Sequence, residues 1–226
     1  MRTFSHPGYK RFLLSVGCLL SIHFTALFFL TLFRLVFFFS ANYDFPDQEH
    51  VGFMSIWPAF IRGVWFDNVI ACYILLIPLV AVSISALFNY YGKILWNVTC
   101  IFFSLFYGIV LLVTAANIPY FQYFFKIINS SVFNWFGYMN TTAGMVFGET
   151  SYYPPLIGFL LTLVLFIWLM RRLIRHFQRL LNTKNPSVFW LDRIYIFLTA
   201  GICIGLCLFG IRGRTGYNLI KVSAAY

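Results

Sequence analysis

Carboxylates are what this chain has least of. It carries 6 Asp and Glu against 16 Lys and Arg, and charged residues of both signs make up only 10% of the sequence, where soluble domains run near 25%. The six acids are scattered along the sequence, so no cluster of carboxylates is expected to form a metal-binding or acid–base centre. Cysteine is also sparse: the 5 Cys all lie in apolar segments, with no C-x-x-C spacing. Cys203 and Cys207 share a helical face but no His or carboxylate joins them, and thiols in hydrocarbon act as small apolar groups. The first apolar run, residues 12–40, is much longer than an h-region of about 7–15 residues and reads as a retained membrane helix rather than a signal peptide. No internal repeat appears, which weighs against the commoner transporter folds.

Apolar and aromatic residues fill the space left by charge. The sequence is 61% hydrophobic with 29 Phe and 14 Tyr, and its mean hydropathy is +0.83. This composition defines an integral membrane protein. The formal net charge of +10 does not point to nucleic acid, since the basic residues flank apolar runs and suit an anionic leaflet.

Five spans are expected, at about 12–40, 64–88, 94–116, 154–170 and 188–211. In the first, His23 reads as a residue bonded to a neighbouring helix, and Arg34 lies where it can snorkel to the interface. The connection 41–63 holds Asp44, Asp47 and Glu49, and its stretch 51–60 is too short to cross and suits the interface. Arg62 and Asp67 bracket the outer end of the second span, either as an intramembrane ion pair or as a lipid-headgroup contact. Pro78 is expected to kink that span. Residues 117–153 mix aromatics with single polar groups and read as an amphipathic elbow at the membrane surface. That elbow either caps the bundle or holds a lipid, its aromatic rings beside Lys126 suiting a glycerol-phosphate headgroup. The fourth span continues into a basic amphipathic helix with Arg171, Arg172, Arg175 and Arg179, followed by Lys184. In the fifth, Gly201 and Gly205 form a G-x-x-x-G pattern that permits close helix contact.

Dense arginine beside a span marks the cytoplasmic side. With Arg171–Arg179 inside, the amino terminus is inside, the carboxyl terminus outside, and five of the six acids fall on the outer side. The expected fold is therefore an all-α membrane protein with five transmembrane helices over residues 1–211 and an interfacial elbow between the third and fourth. Residues 212–226, with Arg212 and Arg214, begin an extracytoplasmic linker.

The layout, with Arg62-Gly63-Val64-Trp65-Phe66-Asp67, Asn117-Ile118-Pro119-Tyr120-Phe121 and Arg212-Gly213-Arg214-Thr215-Gly216, resembles the membrane half of bacterial lipoteichoic acid synthase-like proteins. These are sulfatase-fold phosphoglycerol or phosphoethanolamine transferases of the alkaline phosphatase superfamily. The resemblance implies residence in the bacterial cytoplasmic membrane and a catalytic domain downstream of Tyr226. That domain would carry a nucleophilic Thr and a divalent metal, usually manganese, with membrane phospholipid as substrate. Many members carry an acid near Asn117, where this chain has an amide. On this reading the chain is a non-catalytic anchor with lipid-headgroup candidates Arg62, Asp67, Asn117, Tyr120, Lys126, Arg212 and Arg214. The alternatives are a small multi-pass transporter, for which His23, Asp67 and Pro78 speak, and a membrane scaffold.

Overall fold

The computed structural model describes residues 7–43, 53–129, 150–181 and 190–212, with 144 and 148. Expectations for Asp44, Asp47, Glu49, Lys184 and Arg214, and for most of the second half of the elbow, lie outside the described residues. The described residues form five long helices and no strand: α1 (Pro7–Tyr43), α2 (Phe53–Leu87), α3 (Lys93–Phe124), α4 (Tyr153–Leu181) and α5 (Trp190–Arg212). A 3-10 turn, Thr150–Tyr152, leads into α4. All five helices are long and apolar enough to cross a bilayer. In hydrocarbon a helix satisfies every backbone N–H and C=O internally, so this is the form an apolar chain of this kind must take.

The first helix is the axis of the bundle. It packs on all four others, with α2 and α5 together on one flank and α3 and α4 on the other. Phe12, Leu19 and Ile22 of α1 are completely buried. Lipid tails are as apolar as these side chains, so helix association rests on close packing and on polar contacts. On the α3–α4 flank the packing is aromatic. Tyr107 lies 5.4 Å from Phe166, which meets Phe29 of α1 edge-on at 6.2 Å. Such geometry adds about 0.5–1.5 kcal/mol per pair beyond burial.

On the other flank small residues let α2 and α5 approach. The Cys207 thiol donates to the Cys72 carbonyl at 3.2 Å, and a Cβ at Gly210 would lie 2.7 Å from Cys72 Sγ. The expected seam at Gly201 and Gly205 is not where the helices meet: both are exposed, and a Cβ on either would have nothing within 4 Å. Gly210 takes that role.

Two helices are longer than their composition suggested. The second begins at Phe53, so the stretch expected to lie in the interface is the first part of α2. The third runs through Pro119 to Phe124 before Phe125 ends it in the left-handed region at φ 54°, its N–H bonded to the Phe121 carbonyl at 2.8 Å. Packing on the last turns of α1 accounts for the extension: Phe121 meets Phe37 at 5.2 Å, and the Gln122 amide donates to Ser40 Oγ at 2.8 Å. The first part of the elbow is thus α3 itself.

One end of the bundle gathers the basic residues, with Lys10, Lys93, Arg171, Arg172, Arg175, Arg179 and Arg193 all exposed. Arg11 is the exception, only 8% exposed. Its Nε and Nη2 donate to the Leu181 carbonyl at 3.2 and 2.8 Å, and its guanidinium sits 4.9 Å over the Tyr91 ring. It thereby satisfies a carbonyl left open by the end of α4 and ties α1, α4 and the α2–α3 turn together. Nearby, Asp192 is fully buried in the first turn of α5, where a negative charge suits the helix dipole.

Candidate functional site

The polar residues predicted to meet a lipid lie toward the opposite end. Asp67 of α2 faces α1, where Arg34 grips it with two bonds: Nη2 to Oδ1 at 2.7 Å and Nε to Oδ2 at 3.2 Å. The carboxylate side chain is 12% exposed and the arginine 32%. Arg34 is therefore turned into the helix interface rather than snorkelling away from it. Gly63, one turn before Asp67, makes the approach possible, because a Cβ there would overlap the guanidinium of Arg34. Arg62 and Asp67, five positions apart, project from different sides of α2, and the ion pair forms across helices instead.

Deeper in the same interface, His23 Nε2 and Asn68 Oδ1 are 3.2 Å apart. His23 is 5% exposed, which matches its reading as a residue bonded to a neighbouring helix. The α1–α2 contact thus carries two polar clasps, Arg34–Asp67 and His23–Asn68.

The other candidates fall into two groups on either side of α1. Arg62 is exposed on α2 and makes no ion pair among the described residues. Arg212 is exposed at the end of α5, whose Gly210 lies against Cys72 and Asn68 of α2. On the α3 side, Asn117 is committed to the chain turn: its Oδ1 accepts the Ile128 N–H at 2.9 Å. Tyr120 is half-buried with its ring 4.8 Å from Phe124. Lys126 is exposed just beyond the end of α3. So Asp67 and Asn117 hold the fold, while Arg62 and Lys126 present charge to the surroundings. Chemically such an end can attract an anion, but a carboxylate held by Arg34 is poorly placed to act as a base.

The arginines Arg171, Arg172, Arg175 and Arg179 all project from α4 at the basic end. Arg172 stands 5.3 Å over the Trp168 ring, and Arg175 Nε donates to the Arg171 carbonyl at 3.2 Å. Sequence reasoning missed the roles of Arg11 and Arg34. The available signal was simply that each arginine stands at the edge of an apolar run, where a partner on another helix is expected.

Taken together, the fold defines a multi-pass α-helical membrane protein. Comparison with family models, with curated proteins and with solved structures finds no match for it.

Proposed function

We propose that this chain is the membrane anchor and lipid-docking domain of an extracytoplasmic phospholipid headgroup transferase, acting on phosphoglycerol or phosphoethanolamine. The basic end faces the cytoplasm of a bacterial cell and the opposite end faces outward, as the positive-inside rule requires. A headgroup transferase works at the height of lipid phosphates, so its catalytic domain needs a fixed seat above the bilayer. The observation that supports this reading is the division of labour at the outer end. Arg34 neutralises Asp67, while Arg62 and Lys126 stay exposed with no ion pair among the described residues.

In this scheme Arg62, Lys126 and Arg212 draw an anionic headgroup, and Tyr120 borders the α3 side. The manganese implied by the resemblance belongs to the catalytic domain. Among the described residues no three His, Cys, Asp or Glu side chains come together, and nothing in the docking step runs through a metal.

Headgroup transfer from labelled phosphatidylglycerol, measured in membranes of cells expressing the whole reading frame, tests the reading. Lys126→Ala with Tyr120→Ala lowers transfer at least about fivefold, the share of one cation at a charged surface, with the membrane level of the protein unchanged. Unaltered transfer overturns the docking role.

A further inference from the structure

The arginine face of α4 has a property that orientation alone does not account for: it runs beside an apolar surface of α3 and makes no ion pair among the described residues. Gly108 of α3 is level with Leu163 of α4, where an added Cβ would be 3.5 Å from the leucine, and Tyr107 meets Phe166 at 5.4 Å. Continuing that antiparallel register puts Arg179 level with Lys93, the first residue of α3, and Arg171 level with Ile101. Arg171 is therefore about 12 Å further into the bundle than Arg179.

Along that length the neighbouring turns of α3 expose apolar side chains, with Ile94, Val98 and Ile101 exposed by 60–70%. The arginines share α4's outer face with Trp168, while Met170, Ile174 and Leu181 on the other side are buried.

An arginine beside hydrocarbon needs a counter-charge or a path to water. Neither helix that α4 packs on can give a carboxylate, since α1, α3 and α4 contain no Asp or Glu at all. Arg171, Arg172, Arg175 and Arg179 make no ion pair among the described residues.

We propose that the face formed by Trp168, Arg171, Arg172 and Arg175 is a binding site for an anionic phospholipid in the leaflet at the basic end. Its phosphate meets the guanidinium forks where the fourth span ends. Two features fit a phosphodiester better than a diffuse charged layer. Guanidinium pairs with phosphate in two-pronged geometry, and Trp168 holds Arg172 in place through its ring face while offering the first acyl carbons an apolar wall. This site is at the opposite end from the docking residues Arg62 and Lys126 and stands independently of the transferase reading.

The test uses the full chain in bilayers that contain brominated phosphatidylglycerol or brominated phosphatidylcholine at equal mole fraction. The Trp168 component of fluorescence is taken as the difference from Trp168→Phe. Wild-type Trp168 is quenched preferentially by the brominated phosphatidylglycerol. Each arginine contributes about fivefold to that preference, so Arg171→Gln with Arg172→Gln lowers it roughly 25-fold.

A second measurement needs no variant at the site: on the wild type, the preference falls as sodium chloride is raised. Arg62→Gln with Lys126→Gln leaves the Trp168 signal as it was. Equal quenching of wild-type Trp168 by the two lipids, a preference indifferent to salt, or a loss caused by the Arg62/Lys126 variant would each overturn the assignment.

Discussion

Replacing Gly63 by alanine gives opposite results depending on whether Arg34 is present. A methyl at position 63 overlaps the guanidinium of Arg34, and that group can move only by releasing Asp67, which it holds at 2.7 and 3.2 Å. Breaking a fully buried ion pair costs about 3–5 kcal/mol. The Arg34 side chain is 32% exposed, so the cost here is discounted to about 2–3 kcal/mol. Set against it is the gain of about 1 kcal/mol when alanine replaces glycine inside a helix. The net expectation is a loss of about 1–2 kcal/mol for Gly63→Ala in the natural chain. In an Arg34→Leu background the clash is gone, and the same change stabilises by up to about 1 kcal/mol.

Unfolding in mixed micelles, followed by circular dichroism, reads all four corners of this cycle. Arg34→Leu with Asp67→Leu completes the case, because it removes both charges and destabilises less than Arg34→Leu alone. If Gly63→Ala has the same effect with and without Arg34, the packing of the guanidinium on Gly63 is refuted.

Three further outcomes follow from single contacts. Arg11→Ala removes the charged donors from the Leu181 carbonyl and costs about 1.5–3 kcal/mol, seen as faster hydrogen exchange over residues 174–181. Gly210→Ala pushes a Cβ onto Cys72 and destabilises by about 1–3 kcal/mol, while Gly201→Ala and Gly205→Ala, which meet nothing, do not destabilise in the same micelle assay. Burial pushes the Tyr91 phenol from its ordinary 10.0 up to about 12, against the pull of Arg11. The folded chain thus keeps a proton that the unfolded chain gives up near pH 10, and this share of stability is complete below that pH and lost as pH rises through about 12. Tyr91→Phe flattens that alkaline slope.

The spans were legible because a stretch of about 20 apolar residues has few options other than a transmembrane helix. Their ends were harder to read, for reasons visible at particular residues. Pro119 and the aromatic stretch around Trp57 look like breaks in composition. Yet a proline costs a helix one hydrogen bond and local crowding, which the contacts of Phe121 and Gln122 with α1 offset. For Asp67 the sequence offered either Arg62, close by in the chain, or a lipid headgroup, whereas the bond is made across helices by Arg34, 33 positions away. A G-x-x-x-G pattern pointed to Gly201 and Gly205, since spacing shows which residues share a face but not which face meets a neighbour. Asn117 was singled out by the family resemblance rather than by its own surroundings. Its use in turning the chain at Ile128 depends on the length of α3, which composition did not reveal.

The proposed role depends on which side of the membrane each end of the bundle faces. Cysteines placed at two exposed positions, Lys126→Cys beyond α3 and His176→Cys on the arginine-bearing end of α4, can be labelled with a membrane-impermeant maleimide. In intact cells the account predicts labelling at position 126 and none at 176 until the membrane is permeabilised. Labelling at 176 with protection at 126 would place the docking residues inside the cell and contradict it.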